Sequence, residues 1–192
     1  MAFTILLLFG YLLGGVPFGL LLGRLVGGVD VRHYGSGNIG ATNVNRVLGK
    51  KIAAVVLVLD ALKGYAPFAI ASHIGMSSFQ VASVGLASVV GHCFPVALRF
   101  RGGKGVATVF GACCALNPMV AALVLLIWLI GVYFSRISAV GALLGALSLP
   151  VVTGFFYKNS VYLYMALAMA ILVIVRHREN IRQLWERWKG KN

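Results

Sequence analysis

The sequence predicts an all-α integral membrane protein, and three observations lead to this fold class. Hydrophobic residues make up 60% of the 192 residues and charged residues only 11%, a composition far from that of a soluble domain. The mean hydropathy is +0.92. The apolar residues also form long segments, and a membrane-spanning helix needs about 20 residues of this kind. We therefore expect one transmembrane domain over residues 1–192.

Seven segments are candidate spans, although the fourth is short. They are residues 3–23, 52–72, 79–98, 105–116, 119–134, 138–157 and 160–175. The first has neither a basic region before it nor a small-residue cleavage site, so we interpret it as a retained span and not as a signal peptide. In an alternative interpretation, residues 105–134 form one long helix that is kinked at Asn117 and Pro118, which gives six spans.

The basic residues select between these alternatives. With seven spans and the N-terminus outside, all 17 lysines and arginines except Lys63 and Lys158 fall at the cytoplasmic side, as the positive-inside rule expects. With six spans, the basic residues from Arg176 to Lys191 would lie outside. We predict seven transmembrane helices, with the N-terminus outside and the C-terminus in the cytoplasm.

The charge balance narrows the chemistry. The net charge is +13 and there are only 4 acidic residues. In a membrane chain this favours membrane lipids over nucleic acid as the partner. It also excludes a paired-carboxylate hydrolase and a carboxylate-rich metal site. The 3 cysteines show neither a disulfide framework nor metal-ligand spacing. We therefore expect no metal and no cofactor.

The first span has small residues at helical spacing. Gly15, Gly19 and Gly23 form a doubled G-x-x-x-G pattern, with Pro17 between the first two. Small residues allow helix backbones to approach closely. This span is therefore expected to pack against other helices.

The loop over residues 24–51 is dense in glycine, hydroxyl and amide groups. It contains a literal G-x-G-x-x-G at residues 35–40, but no parallel strand precedes it and the acid that follows, Asp60, lies within a span, so we reject dinucleotide binding. Its backbone N–H groups, polar side chains and one cation suit a phosphate or a developing oxyanion. A polar loop of turn residues is the alternative. The candidate residues are Ser36, Gly37, Asn38, Gly40, Thr42, Asn43 and Arg46.

The second span carries two charges on one face. Asp60 and Lys63 are three residues apart, and residues at this spacing are neighbours on a helix. Charges within a span are costly, so they are expected to pair or to face a wet interior. A functional path and an ion pair that fixes helix packing are both consistent with the pattern.

Residues 99–108 form a second candidate for anion binding. Glycine permits backbone conformations in which N–H groups converge on an anion, and Arg101 and Lys104 supply positive charge. This is not a Walker loop, since no strand precedes it. A basic loop that simply ends an apolar helix is the alternative. The candidate residues are Arg101, Gly102, Gly103, Lys104 and Gly105.

The tail over residues 176–192 predicts an amphipathic helix at the membrane surface. Its apolar residues follow the spacing i, i+3, i+4, i+7, which places them on one face. They are Ile181, Leu184, Trp185 and Trp188. Membrane anchoring does not explain His177 and Asn180 at the start of this tail. We expect them to meet the loops 24–51 and 99–108 at the cytoplasmic face, where together they would form an active site.

Three longer motifs stand out along the chain. They are Ser-Gly-Asn-Ile-Gly-Ala-Thr-Asn at 36–43 with Arg46, Gly-His-Cys-Phe-Pro at 91–95 followed by Phe-Arg-Gly-Gly-Lys-Gly-Val-Ala-Thr at 100–108, and His-Arg-Glu-Asn-Ile at 177–181. In this order they resemble the motifs of one enzyme family, the bacterial PlsY-type acyl-phosphate:glycerol-3-phosphate acyltransferases. The resemblance covers essentially the whole chain, and Asp60-Ala-Leu-Lys63-Gly64 in the second span also fits.

The resemblance implies an enzyme of the bacterial inner membrane that makes lysophosphatidic acid. Its substrates would be glycerol 3-phosphate and a long-chain acyl phosphate. By resemblance, Ser36 and Arg46 have catalytic roles, His177 and Asn180 contribute to activity, and Glu179 is structural. The loop of Gly102, Gly103, Lys104 and Gly105 is assigned by resemblance to glycerol 3-phosphate. We assign supporting roles to Asp60, Lys63 and His92.

The residues agree with this chemistry. Acyl phosphate is already activated, so the protein needs only to bring two anions together and to stabilise a carbonyl oxyanion. The proton of the attacking hydroxyl is accepted either by His177 or by a substrate phosphate. No histidine is followed by an aspartate five residues later, which argues against a thioester-dependent acyltransferase. A secondary transporter of an organic phosphate is the alternative hypothesis, although such proteins place their site at the membrane midplane.

Overall fold

The computed structural model describes residues 1–158 and 160–190, and within these residues all regular structure is helical. The predicted all-α class is confirmed. Lys191, which belongs to the predicted basic tail, lies outside the described residues. Two short 3-10 turns lie at Val31–His33 and Val96–Leu98. The α-helices are α1 (Ala2–Gly14), α2 (Phe18–Gly27), α3 (Ala41–Leu48), α4 (Lys50–His73), α5 (Ser78–Cys93), α6 (Val106–Leu116), α7 (Pro118–Ser135), α8 (Ser138–Phe156), α9 (Ser160–Arg176) and α10 (Arg178–Lys189).

The helices are those of a multi-pass membrane protein. Among the described residues, 4 segments are long and apolar enough to cross a membrane, namely α4, α7, α8 and the segment Ser78–Leu98 that contains α5. The number rises to 6 if each of two bent pairs, α1 with α2 and α9 with α10, counts as one span. Helix α6, with 11 residues, is about 16 Å long and thus shorter than the bilayer core.

Several ends of helices are specified locally. Ser77 and Gln80 form a capping box at the start of α5, which satisfies two N–H groups that the helix leaves without partners. Asn117 takes an extended conformation and its side chain accepts a hydrogen bond from the N–H of Met119 at 2.9 Å. Pro118 is the first residue of α7, where its missing N–H costs nothing. The chain therefore breaks between α6 and α7 and does not form one long helix over 105–134.

The first predicted span, residues 3–23, differs from the expectation of a single helix. It is divided into α1 and α2, which are bent by 42° with respect to each other. Pro17 lies directly before α2, where it lacks an N–H to donate and disfavours a helical conformation at Val16. Helix α2 also continues to Gly27, beyond the predicted end of the span. The loop after it is not wholly irregular, since it contains α3.

Glycines in the first two helices lie at points of close approach, although Gly14, and not the predicted Gly15, makes the contact with α5. A Cβ atom at Gly14 would lie 2.1 Å from the carbonyl oxygen of Ser88 in α5, and one at Gly19 would lie 1.9 Å from that of Ile39. Gly91 in α5 makes the reciprocal contact with the carbonyl oxygen of Tyr11. Helices α1 and α5 therefore pack backbone to backbone, as small residues permit.

Helix α6 is short because the chain has already turned back before the helix begins. After the 3-10 turn at Val96–Leu98, the N–H of Gly102 donates to the carbonyl of Cys93 at 3.2 Å and the N–H of Gly103 to that of His92 at 3.0 Å. Residues 102–105 thus run alongside the end of α5. At the other end of α6, the hydroxyl of Tyr157, just after α8, donates to the carbonyl of Leu116 at 3.0 Å. Helix α6 therefore needs fewer residues to extend to the depth at which α8 ends.

Candidate active site

A cavity of about 590 Å³ lies where the three predicted regions meet. Residues of the first loop and α3, of the loop before α6, and of the junction between α9 and α10 all line it. The structure therefore brings together regions that are far apart in the sequence. The predicted site residues that line the cavity are Ser36, Asn38, Gly40, Thr42, Asn43, Arg46, Asp60, His92, Lys104, Gly105, His177 and Asn180.

Other predicted site residues lie outside this cavity. Arg101 lines a separate cavity with Arg32 and Arg99. Glu179 is exposed, with a carboxylate oxygen 3.5 Å from the guanidinium of Arg182. The residues that do not line the main cavity are Gly37, Lys63, Arg101, Gly102, Gly103 and Glu179.

The buried side chain of Asn43 holds the first loop in place. Its Oδ1 accepts a hydrogen bond from the N–H of Ser36 at 2.8 Å, and its Nδ2 donates to the carbonyls of Val31 at 2.9 Å and Tyr34 at 3.1 Å. Only 1% of Asn43 is exposed. Because these three bonds occupy the amide, we assign Asn43 a positioning role and not a direct contact with a phosphate.

The glycines of this loop permit its conformation. Gly35 and Gly37 have φ angles of 58° and 67°, which side chains disfavour. The N–H of Gly37 donates to the carbonyl of Tyr34 at 3.0 Å, and that of Gly40 donates to Oδ1 of Asn38 at 2.9 Å. The N–H groups of Gly37 and Gly40 are thus used within the loop. The loop presents to the cavity instead the first turn of α3, including Ala41 and Thr42. Their N–H groups precede the first bonds of the helix, which run from Asn43 and Val44 to the carbonyl of Gly40.

Ser36 and Arg46 are the residues of this region that the resemblance predicts to be catalytic. The hydroxyl of Ser36 makes no hydrogen bond in the described part of the chain, and both residues are exposed at the cavity. Arg46 lies one turn after the buried Asn43 and Val44 on α3. A hydroxyl donor and a guanidinium that line the same cavity can hold a phosphate or a carbonyl oxyanion.

The glycines of the second loop are required for close packing. A Cβ atom at Gly102 would lie 2.1 Å from the carbonyl oxygen of His92, and one at Gly103 would lie 2.1 Å from Nε2 of the same residue. The N–H groups of Gly102 and Gly103 donate to the end of α5, as described above. We expected these N–H groups to face an anion, whereas they are used within the fold. Lys104, Gly105 and the first turn of α6, with Val106, line the cavity instead.

Arg176, at the end of α9, fixes this loop and was not singled out from the sequence. Its Nε donates to the carbonyl of Gly103 at 3.0 Å, and its terminal nitrogen donates to that of Gly102 at 2.7 Å. Its guanidinium also lies 5.3 Å from the ring centre of Phe94. The only sequence signal for this role was its position directly before His177. That signal was not sufficient, because the positive-inside tendency already explained a basic residue there.

Lys104 and Asn180 connect the second loop to the tail. Nζ of Lys104 donates to Oδ1 of Asn180. Burial lowers the pKa of Lys104 below its usual range, and the positive charges of Arg176 and Arg46 lower it further. A bound anion would offset both effects, because it would stabilise the charged ammonium group. The environment of Lys104 is therefore suited to a phosphate.

His177 is buried at the start of α10, with 3% of its surface exposed. Its Nδ1 lies 2.8 Å from the carbonyl oxygen of Val173, an acceptor that requires Nδ1 to carry the proton. Burial lowers the pKa of His177, with the charges of Lys104 and Arg176 as smaller causes, although the bond to Val173 opposes them. Burial thus favours the neutral form of His177, in which Nε2 is the nitrogen that can accept a proton.

A buried polar cluster lies beside the cavity. Oδ1 of Asp60 is 2.8 Å from Nζ of Lys63 and 3.7 Å from Nδ1 of His92. Nζ of Lys63 also donates to the carbonyl of Val16, in the break between α1 and α2, at 2.9 Å. The ion pair therefore stabilises the packing of that break against α4, while Asp60 also borders the cavity. The pair thus has the geometry of an ion pair that fixes helix packing, while a functional path stays a prediction.

The rest of the cavity is apolar and extends between the helices. It is lined from α6, α7, α8 and α9 by large side chains and by small residues that leave room between them. These include Val109, Phe110, Val124, Leu125, Trp128, Gly145, Ala146, Leu149 and Met169.

The two ends of the cavity define a class of protein. Four cations line its polar end among the described residues, while its one lining carboxylate, Asp60, is paired with Lys63. These cations are Arg46, Lys104, Arg136 and Arg187. The fold and site are those of a multi-pass membrane protein that binds an amphiphile with an anionic head and an apolar chain.

Comparison with known proteins gives the particular family. A family model described as glycerol-3-phosphate acyltransferase matches residues 4–187. The chain is 48% identical over 181 residues to the glycerol-3-phosphate acyltransferase of Anaeromyxobacter dehalogenans, covering 91% of this chain and 90% of that one. It is 48% identical over 178 residues to that of Sinorhizobium medicae, covering 93% and 86%.

Solved structures agree. Two crystal structures of PlsY (YgiH), an integral membrane glycerol 3-phosphate acyltransferase, are 41% identical to this chain and match it with TM-scores of 0.93 and 0.91. Each match covers 97% of this chain and 93% of the other, which is in its glycerol 3-phosphate form in one structure and its lysophosphatidic acid form in the other. This chain belongs to the glycerol-3-phosphate acyltransferase family and is a PlsY-type enzyme. The alternative hypothesis of a transporter is not supported.

Proposed function

We propose that the enzyme transfers a fatty acyl group from acyl phosphate to the 1-hydroxyl of glycerol 3-phosphate. The products are lysophosphatidic acid and inorganic phosphate, and the reaction is the first step of bacterial phospholipid synthesis. The observation that carries this proposal is that one cavity has both a cationic end and an apolar end. The absence from the sequence of the histidine and aspartate spacing of thioester-dependent acyltransferases supports acyl phosphate as the donor.

The two phosphates are assigned to two helix N-termini. Lys104, Gly105 and the first turn of α6 bind glycerol 3-phosphate, because an ammonium group and unpaired helix N–H groups converge there. The first turn of α3, with Thr42 and Arg46, binds the head of acyl phosphate. The acyl chain occupies the apolar part of the cavity between α6, α7, α8 and α9.

The reaction needs no covalent enzyme intermediate. The 1-hydroxyl oxygen of glycerol 3-phosphate attacks the carbonyl carbon of acyl phosphate and forms a tetrahedral oxyanion. The bond from this carbon to the phosphate oxygen then breaks, and phosphate leaves with the electron pair. Ser36 and Arg46 stabilise the oxyanion through a hydroxyl donor and a guanidinium. The surrounding cations reduce the repulsion between the two anionic substrates, and the cavity holds them in contact.

Two groups can accept the proton of the attacking hydroxyl. The neutral form of His177, which burial favours, donates through Nδ1 and leaves Nε2 free to act as a general base. A substrate phosphate, with a second pKa of about 6, is the other acceptor. Asn180, which bonds Lys104, positions the cation beside either group.

For the membrane topology we propose seven crossings, with the N-terminus outside and the C-terminus and active site at the cytoplasmic side of the inner membrane. The bond from Tyr157 to Leu116 supports α6 as the short fourth crossing, since it joins the end of α6 to the end of α8. The basic loops support the orientation. Helix α10 lies at the membrane surface, where Ile181 and Trp185, both exposed, enter the lipid.

The proposed topology is tested by labelling single added cysteines at positions 158 and 189 from each side of sealed vesicles. If the cysteines at both positions were labelled from the same side, the result would contradict seven crossings.

The catalytic proposal is tested with the detergent-purified protein and labelled glycerol 3-phosphate. Palmitoyl phosphate or palmitoyl-CoA is supplied as the donor, and lysophosphatidic acid and released phosphate are measured. We expect product from acyl phosphate alone. A folded Ser36→Ala variant is the matched control for contaminating activity. Product from palmitoyl-CoA alone would overturn the donor assignment, and no product from either donor would overturn the function.

A further inference from the structure

A second cavity, of about 390 Å³, lies apart from the active site and is not used by the proposed reaction. It is lined by Arg32, Ala97, Leu98, Arg99 and Arg101. None of these residues lines the main cavity among the described part of the chain. Arg101, which the sequence suggested for substrate binding, therefore lines a different cavity from Ser36, Lys104 and His177.

The charges around this cavity are unbalanced. Arg32 pairs with Asp30, with 2.6 Å between a terminal nitrogen and Oδ2, and Asp30 also pairs with Arg24 at 2.9 Å. One carboxylate is thus shared by two arginines. Arg99 and Arg101 have no carboxylate partner within residues 1–158 and 160–190. The cavity consequently attracts an anion, and guanidinium groups are suited to bind phosphate through paired hydrogen bonds.

The segment that carries the two unpaired arginines is held in a tight turn. Arg99 and Phe100 both have left-handed conformations, with φ angles of 51° and 63°. Their N–H groups donate to the carbonyls of Val96 and Pro95, both at 2.9 Å, and the N–H of Arg101 donates to that of Leu98 at 3.0 Å. The arginines therefore project from a fixed backbone rather than from an irregular loop.

Apolar side chains of the same turn are exposed next to the arginines. Val96 is 59% exposed and Phe100 is 58% exposed. The turn lies at the end of the apolar segment Ser78–Leu98, which is where that segment reaches the membrane surface. Exposed apolar side chains beside arginines are typical of a surface that contacts lipid at the level of the headgroups.

We propose that Arg32, Arg99 and Arg101 bind the phosphate headgroup of an anionic phospholipid, with Val96 and Phe100 against its acyl chains. The site anchors the turn that precedes the second glycine loop to the membrane surface. It is separate from the substrate cavity, so its occupancy does not depend on the reaction proposed above.

The test measures lipid retention by native mass spectrometry of the purified full-length protein after delipidation. Phosphatidylglycerol, phosphatidylcholine or inorganic phosphate is added to the wild type and to the double variant Arg99→Gln, Arg101→Gln. The variant Lys50→Gln, Lys51→Gln is the matched control. It removes the same number of exposed positive charges, but neither lysine lines either cavity. We expect the wild type and the control to retain phosphatidylglycerol. The arginine variant is expected to retain less of it, by a factor of at least roughly ten.

Each other outcome overturns the proposal. Equal retention by the arginine variant would remove the site, and equal retention of phosphatidylcholine would remove its selectivity for an anion. Displacement of phosphatidylglycerol by inorganic phosphate would show a site for a free anion. A higher KM for glycerol 3-phosphate in the arginine variant, with lipid retention unchanged, would place these residues at the substrate. If the double variant does not fold, Arg101→Gln alone gives the same comparison.

Discussion

The two glycine-rich loops of the site, residues 35–40 and 102–105, have similar compositions and use glycine for different reasons. In the first loop, Gly35 and Gly37 adopt left-handed conformations. In the second, Gly102 and Gly103 leave room for His92. The N–H groups of Gly37, Gly102 and Gly103 are bonded within the fold, so they are not free to bind an anion. Each loop instead directs the first turn of a helix, α3 or α6, at the cavity.

The comparison therefore separates residues that build the site from residues that contact substrate. Composition does not distinguish these two groups. Substitutions do, because loss of a building residue lowers stability as well as activity, whereas loss of a contacting residue lowers activity alone.

The largest effect is expected for Gly102→Ala. The added Cβ would lie 2.1 Å from the backbone oxygen of His92 and 2.5 Å from Cδ of Pro95, which cannot move aside as a flexible side chain can. We expect a loss of stability of at least about 3 kcal/mol and no activity. Thermal unfolding in detergent measures it.

Substitutions in the first loop provide the contrast. Gly37→Ala meets only a carbonyl oxygen at 3.2 Å, so its cost is conformational and about 1–2 kcal/mol. Gly75→Ala, at a turn with φ of 75° and nothing within 4 Å, is the control for that cost. If Gly102→Ala were no more destabilising than these variants, close packing would not explain the second loop.

The next effect concerns Asn43 and Ser36 in the first loop. Asn43→Ala removes three hydrogen bonds and leaves their backbone partners unsatisfied, which we expect to cost about 2–3 kcal/mol of stability. Ser36→Ala removes a hydroxyl without a partner in the described residues, so we expect an unchanged unfolding temperature and a large loss of kcat. Stability and kcat measured for both variants test this, and the reverse pattern would exchange the two roles.

Lys104→Ala is expected to raise the KM for glycerol 3-phosphate by tenfold or more. The reason is the loss of one charge-assisted contact, worth about 1.5–3 kcal/mol. Steady-state kinetics with acyl phosphate at saturation measures the change. Lys50→Ala, at the exposed start of α4, is the control for net charge. An unchanged KM in the folded Lys104 variant would remove the second loop from the glycerol 3-phosphate site.

The smallest effect is the pH dependence that involves His177. Its pKa is lower in the folded protein than the ordinary value of about 6.5. Between these two pKa values the unfolded chain binds more protons, so the stabilising contribution is complete above about pH 6.5 and is lost as the pH falls. If His177 is the base, kcat/KM also falls over this range.

The variant His177→Asn distinguishes the two proton acceptors. Loss of the acid limb of the kcat/KM profile in this variant identifies His177 as the base. Persistence of the limb identifies the substrate phosphate, which has a pKa of about 6. Unfolding temperatures of both proteins between pH 5 and 8 show whether the expected decrease in stability at low pH disappears with the histidine.

Much of the fold and part of the site could be predicted from the sequence. The apolar segments predicted most helices to within a few residues, apart from the break at Pro17, the end of α5 at Cys93 and the additional helix α3. The three motifs gave the family, and most of their polar residues line one cavity. Arg101 and the N–H groups of Gly102 and Gly103 were predicted to bind an anion in the site. In the structure, Arg101 lines another cavity and the two N–H groups are bonded within the fold. The contacts of Arg176 were not predicted. These residues depend on partners far away in the chain, which local patterns do not reveal.

The sequence by itself determined the class of protein, because hydropathy, helix length and charge bias are local properties that act on each segment independently. The motifs likewise determined the family. Only the tertiary structure decided which polar groups face the cavity. The carbonyls of Gly102 and Gly103 are occupied by Arg176, 74 and 73 residues away, and Lys104 meets Asn180 at a separation of 76 residues. A hydrogen-bonding group is available to substrate only after such long-range partners are in place, and packing of the helices decides that.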